Sequence, residues 1–196
     1  MNQEKVLNVF RKTNALLAGH FLLTSGKHSN IYLEKFMVLQ YPEHTEKLAK
    51  EIAGHFKNKK PDVVIGAAVG GIILSYEVAR QIGARGIFME REEGKLTLRR
   101  NFEIKKGEKV LVVEDIVTTG GSVRELITSL KEYECEIVGV GVLINRSGEE
   151  LDFGIDDTFV LATVDVNAYD PDDCPLCKRN VPLTSRGSKY LKKNVR

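Results

Sequence analysis

The sequence predicts an α/β fold: a central, mainly parallel sheet flanked by helices. Three observations carry that reading. Short apolar runs of strand length alternate with longer segments whose apolar residues recur at helical spacing. Glycine- or hydroxyl-rich turns stand between two of these strands and the helices that follow. The 196 residues, 42% hydrophobic and 29% charged, suffice for one domain with a substantial core.

The elements follow in order. Residues 3–17 read as an amphipathic helix. Phe21–Leu23 and Ile31–Leu39 read as extended segments around the polar turn Thr24–Asn30. Pro42 opens a second helix, with Leu48, Ile52 and Phe56 at spacing four, and Lys57–Pro61 breaks it. Asp62–Gly66 is a strand. Gly71–Ile82 is a helix with Ile72, Tyr76 and Ala79 on one face, and Gly86–Met89 is the next strand. The charged stretch Glu90–Glu108 reads as a solvated hairpin, where Leu96 and Leu98 alternate with Lys95, Thr97 and Arg99. Val110–Val113 is a buried strand, and from Ser122 a helix places Val123, Leu126, Ile127 and Leu130 on one face. Glu136–Ile144 and Thr158–Val164 are further strands. The segment from Thr184 to Arg196 is basic and reads as a tail laid over the surface. In such a sheet, ligands bind beyond the C-terminal ends of the strands. Loops 66–71, 114–122 and 145–148 are expected to meet there.

The chemistry concentrates in Glu114-Asp115-Ile116-Val117-Thr118-Thr119-Gly120-Gly121-Ser122. A glycine- and hydroxyl-rich loop entering a helix N-terminus cradles phosphate, because backbone N–H groups approach the anion and the helix end is partly positive. The neighbouring carboxylates repel phosphate and suit hydroxyls. A phosphate at one end and a diol at the other describes a phosphorylated ribose. Two rivals fail. The one candidate for a nucleotide P-loop, Gly26-Lys27, is followed by His28, and Gly139-Val140-Gly141 lies inside an apolar strand and not at a helix start.

This run resembles the phosphoribosyl pyrophosphate (PRPP) motif of the type I phosphoribosyltransferases. Gly19–Ser29 with Ile31-Tyr32, Gly66–Ile72, Asn145-Arg146 and Asp170–Lys178 resemble, in order, segments of the orotate phosphoribosyltransferases of a compact bacterial or archaeal branch. The resemblance implies a single type I domain over 1–196, with a hood from about residues 1–40 and the C-terminal tail. It implies transfer of phosphoribose from PRPP to orotate in pyrimidine synthesis. It places PRPP on Glu114 to Ser122 and Arg91. Orotate falls to Thr118, Arg146, Ile31, Tyr32 and Lys27, and catalysis to Arg91, Lys95 and Asp115. Mg²⁺ is implied as a passenger on PRPP with no direct protein ligand. A homodimer with shared sites is implied by a cationic loop that crosses to the partner. The chain departs from the common pattern. Glu92 and Glu93 follow Arg91 before Gly94-Lys95, and Thr24 and Gly70 stand where many relatives carry lysine. Arg99, Arg100 or Lys27 is expected to supply the lost charge.

Arg146 makes chemical sense for orotate, since a guanidinium grips a carboxylate with two parallel bonds. Two alternatives remain open: a purine phosphoribosyltransferase, and a PRPP-sensing regulator. No helix-turn-helix pattern or strongly basic face precedes residue 20, which disfavours the second. The net charge of +2 gives no argument for nucleic acid. No apolar run approaches membrane length and the N-terminus is no signal peptide, so a cytoplasmic location is expected. Three cysteines argue against a disulfide framework. Cys174 and Cys177 form a CxxC pair that supplies two of the four ligands of a structural zinc. With no His-x-His cluster nearby, the pair reads as inert.

Overall fold

A computed structural model of the chain describes residues 1–23 and 25–186. Thr24 and the basic tail beyond residue 186 lie outside the described residues. The chain begins with helix α1 (Gln3–Lys12), hairpin strands β1 (Leu16–Leu22) and β2 (His28–Leu33), one helical turn α2 (Phe36–Leu39) and helix α3 (Pro42–Phe56). Strand β3 (Val63–Ala67), helix α4 (Gly70–Ile82), strands β4 (Arg85–Glu92) and β5 (Lys95–Leu98), strand β6 (Lys109–Val117) and helix α5 (Gly121–Leu130) follow. Strands β7 (Glu136–Asn145), β8 (Thr158–Thr163) and β9 (Ala168–Tyr169), the turn α6 (Pro175–Lys178) and strand β10 (Thr184–Ser185) complete it.

Among the described residues the main sheet runs β5-β4-β3-β6-β7-β8. All its pairs are parallel except β4–β5, the charged hairpin. Strand β3 and the Val110–Val113 stretch of β6 read as apolar runs because both faces are covered. Alternate residues take opposite faces. Val64, Leu111 and Val113 join Phe10, Leu48, Ile52 and Leu74 in a core under α1, α3 and α4. Val63, Ile65, Val110 and Val112 join Val123, Leu126 and Leu130 under α5. A second, small sheet, β10-β1-β2-β9, forms the hood and ties the N-terminal hairpin to the C-terminal segment.

Two sequence expectations are corrected. The first helix ends at Lys12 and does not reach residue 17. Thr13 turns its hydroxyl onto Val9 O at 2.9 Å, and Asn14 takes φ 54°, a left-handed turn that asparagine tolerates. Leu16 and Leu17 then pair with Leu33 and Tyr32. The extended reading to Leu39 also fails: Phe36–Leu39 is a helical turn that buries Val38 and Leu39. A short apolar run does not distinguish the two forms.

Gly139 and Gly141 lie in β7 for a packing reason. Helix α3 crosses directly over them. A Cβ on Gly141 would stand 2.6 Å from Ile52 Cγ2, and one on Gly139 would collide with the Phe56 ring. Gly139→Ala is therefore expected to lower stability by about 1–3 kcal/mol through overpacking. Denaturant unfolding of the two proteins measures it, and an unchanged midpoint contradicts this account of the α3–β7 contact.

Candidate active site

The three loops do gather at the C-terminal edge of the parallel strands. Glu114 and Asp115 belong to the last turn of pleat in β6, just before the glycine loop. Glu114 is 8% and Asp115 1% exposed. Adjacent strand residues point apart, and here they stay linked through the backbone. Glu114 Oε1 accepts the Asp115 N–H at 3.1 Å, and Asp115 Oδ1 accepts the Ile116 N–H at 2.6 Å. Burial, then the Asp115 charge, pushes the Glu114 carboxyl up to about 8. Burial raises Asp115 as well, against the pull of Lys35. Lys35 Nζ donates to Asp115 Oδ1 at 3.1 Å and lies 3.0 Å from Oδ2, an oxygen that takes no hydrogen bond.

Residues Thr118 to Ser122 and their neighbours line a cavity of about 120 Å³. Gly120 takes φ 76° and caps α5, whose first N–H groups face this space. Arg124 braces the loop from behind. It donates to Thr119 O at 2.9 Å and Asp152 O at 2.8 Å, and stacks 5.1 Å from the Phe153 ring centre. A larger cavity, about 430 Å³, opens beside Lys59, Lys109 and Glu136 at the opposite, N-terminal edge of β6 and β7, away from all three loops.

Loop 66–71 passes close to β6. Gly66 and Gly71 touch backbone to backbone, so that a Cβ on Gly66 would lie 2.7 Å from Gly71 O. A Cβ on Gly70 would collide with Asp115 Oδ2 and stand 2.7 Å from Lys35 Nζ. The glycine at 70 thus leaves room for the Lys35–Asp115 pair.

Arg146 follows the last residue of β7, and its N–H donates to Val117 O at 2.9 Å. Its Nε is buried without a partner, and burial holds the guanidinium below its ordinary range. The turn behind it is fixed by Asn145, whose Oδ1 accepts Ser147 N–H at 2.9 Å and whose amide donates to Glu149 O at 2.7 Å. Tyr32 approaches from the hood. Burial and Glu34 raise its phenol, while Arg186 and Arg146 oppose them.

Other expected residues are placed differently. Ile31, adjacent to Tyr32, packs on the core. Lys27 pairs with Asp170 at 3.4 Å on the hood edge. Arg91 makes a two-pronged pair with Glu125 of α5, at 2.7 and 3.1 Å, and donates to Gly94 O. Within one chain it does not meet the acidic pair. Arg100 grips Glu90 at 2.9 and 3.1 Å, and Arg99 pairs with Glu92 at 3.3 Å. Expected as sources of free charge, both are neutralised by acids of their own hairpin. Lys95 is exposed at the start of β5. Lys35, Arg124 and Arg186 escaped the sequence reading, since a lone cation has no periodic or motif signal.

Residues 37–175 match the phosphoribosyl transferase domain, and the chain belongs to the phosphoribosyltransferase family. It is 52% identical to an orotate phosphoribosyltransferase of Desulforamulus reducens, over 97% of this chain and 100% of that one. It is 50% identical to one from Caldicellulosiruptor bescii, over 96% and 99%. The crystal structure of orotate phosphoribosyltransferase from Aeropyrum pernix aligns with a TM-score of 0.68 at 26% identity, covering 81% of this chain and 93% of that one. Identity and coverage at that level narrow the family to the orotate phosphoribosyltransferases. No helix among the described residues is long and apolar enough to cross a membrane.

The raised Glu114 carboxyl has a consequence for the ligand-free chain. A carboxyl raised on folding contributes stability fully below its ordinary range and loses it as pH climbs through the folded value. The wild-type melting temperature should therefore fall from about pH 5 to about pH 8 more steeply than that of Glu114→Gln. Parallel melting curves across that range contradict the burial account.

Proposed function

We propose that this chain transfers the 5-phosphoribosyl group of PRPP to orotate, giving orotidine 5′-phosphate and pyrophosphate, in pyrimidine nucleotide synthesis. One observation carries the reading. A phosphate cradle, a buried acidic pair and a half-buried arginine share one sheet edge, which matches the three chemical parts of the two substrates. The cytoplasm is the proposed location.

Thr118 to Ser122 hold the 5′-phosphate through backbone N–H groups and hydroxyls. Glu114 and Asp115 accept the ribose hydroxyls, and their charge faces the ring as its anomeric carbon turns cationic. The Arg146 guanidinium grips the orotate carboxylate, and Tyr32 closes the base pocket from the hood. The orotate ring nitrogen bonds to the anomeric carbon while the bond to pyrophosphate breaks. No protein nucleophile is required, because positioning and charge stabilisation suffice. Lys35 stands beside the Gly66–Gly71 loop and supplies there the cation that Gly70 lacks. The acids, with Asp115 Oδ2 in an ion pair with Lys35 but without a hydrogen bond, suit hydroxyls associated with a divalent cation. Magnesium bound to PRPP supplies neutralisation of the leaving pyrophosphate, with no direct protein ligand.

Arg91 and Lys95 act on the departing pyrophosphate from a partner chain in a homodimer. The Arg91–Glu125 pair is exposed at the arginine and partly exposed at the glutamate, so exchanging it for a phosphate costs little. Mixing Arg91→Ala chains with Asp115→Asn chains tests this. Each alone is expected to be nearly inactive, and each heterodimer regains one intact site. Verified heterodimers without activity contradict a shared site.

The acceptor is tested directly. Pyrophosphate release should depend on PRPP with orotate and not with adenine or hypoxanthine. Arg146→Lys should raise the KM for orotate far more than that for PRPP, by on the order of 1–3 kcal/mol in binding. Turnover on a purine, or an orotate KM unmoved by Arg146→Ala, overturns the assignment.

A further inference from the structure

The CxxC pair does not stand alone, as the sequence reading had it. The hood hairpin brings two histidines to it. Leu22 of β1 lies opposite His28 of β2, so His20 is the diagonal neighbour of His28. Cys174 and Cys177 come from the C-terminal segment that packs against this hairpin. One atom from each of the four side chains falls within a volume where all lie within 4.8 Å of one another. His20 Nε2 is 3.0 Å from His28 Nδ1, 3.5 Å from Cys174 Sγ and 3.8 Å from Cys177 Sγ, and His28 Nδ1 is 3.3 Å from Cys177 Sγ.

We propose that His20, His28, Cys174 and Cys177 bind one structural zinc ion that staples the C-terminal segment to the N-terminal hood.

The spacing fits the ion. Zinc bonds of about 2.0–2.1 Å to nitrogen and 2.3 Å to sulfur imply tetrahedral edges of roughly 3.4 Å between nitrogens and 3.6 Å between nitrogen and sulfur. The observed separations scatter around those edges. The donor set of two imidazoles and two thiols is the soft tetrahedral kind that selects zinc, and four protein ligands leave no open position for catalysis. His20 is also oriented as a ligand requires. Its Nδ1 faces Val181 O at 2.8 Å, which fixes the proton there and leaves the Nε2 lone pair aimed at the other three groups. Side chains of this polarity have no apolar reason to converge. His20, His28 and Cys174 are 2%, 6% and 0% exposed.

The staple explains a feature of the hood. Strands β9 and β10 flank the CxxC turn and are only two residues each, too short to hold a segment in place alone. Between them the proposed ion links positions 154 residues apart. It thereby fixes the segment that brings Arg186 toward Tyr32, at the rim of the base pocket.

Two measurements on the full chain decide the matter, and neither depends on its catalytic activity. The protein is purified from zinc-supplemented cells under a phosphine reductant and without chelator. Native mass spectrometry is expected to find one zinc per chain in wild type and none in Cys174→Ser/Cys177→Ser. Should the double variant fail to fold, cobalt(II) titration of the demetallated wild type decides. It is expected to give the visible bands of a tetrahedral site and sulfur-to-cobalt charge transfer at one equivalent. Zinc-free wild type with no such spectrum, zinc retained by the double variant, a Cys174–Cys177 disulfide or a different native metal would each overturn the proposal.

Discussion

Two neighbouring carboxylates are buried at the end of a central parallel strand, and the rest of the site is arranged around the cost of keeping them there. Desolvation and mutual repulsion push Glu114 up to about 8. One cation, Lys35, offsets part of that cost at Asp115. Gly70 has no side chain because that ion pair occupies the space a Cβ would need. Gly120, in the left-handed region, caps the start of α5 shortly after these acids, and a helix N-terminus is a favourable place for an anion. An apolar core in these positions would be more stable.

The same economy governs the cations. In the single chain Arg91, Arg99 and Arg100 are each matched to a glutamate, at exposed positions where ion pairs are weak and salt-screened. Such pairs link β4 and β5 to each other and to α5 at little energetic cost if exchanged. Arg146 is different. Its guanidinium is half-buried, with a nitrogen that has no partner, and desolvation makes it avid for a carboxylate. Exposed pairs therefore suit a loop that must exchange contacts, and the buried arginine suits fixed recognition.

The parallel sheet and the acid-loop-helix unit were legible because both leave local signals. Val110–Val113 is a continuous apolar run, and its loop residues are contiguous. Boundaries near residues 12–17 and 34–39 were not, because Leu16 and Val38 take their conformation from distant partners in β2 and the core. Lys35 at Asp115 and Arg186 near Tyr32 are contacts across 80 and more than 150 positions, and neither residue type is distinctive on its own. The histidines beside Cys174 and Cys177 were missed for a related reason. Metal-ligand spacing is recognisable when ligands lie on one turn, whereas His20 and His28 meet across a hairpin whose pairing carries no spacing rule.

The central claim is that Glu114, raised to about 8 by burial and by the Asp115 charge, is largely protonated in the free chain near neutral pH and becomes charged against the ribose of PRPP. Calorimetry of PRPP binding near pH 7, repeated in buffers of different ionisation enthalpy, counts the protons exchanged. The account predicts net proton release by wild type that is diminished in Glu114→Gln, which keeps the phosphate cradle. Equal proton counts in the two proteins would contradict it.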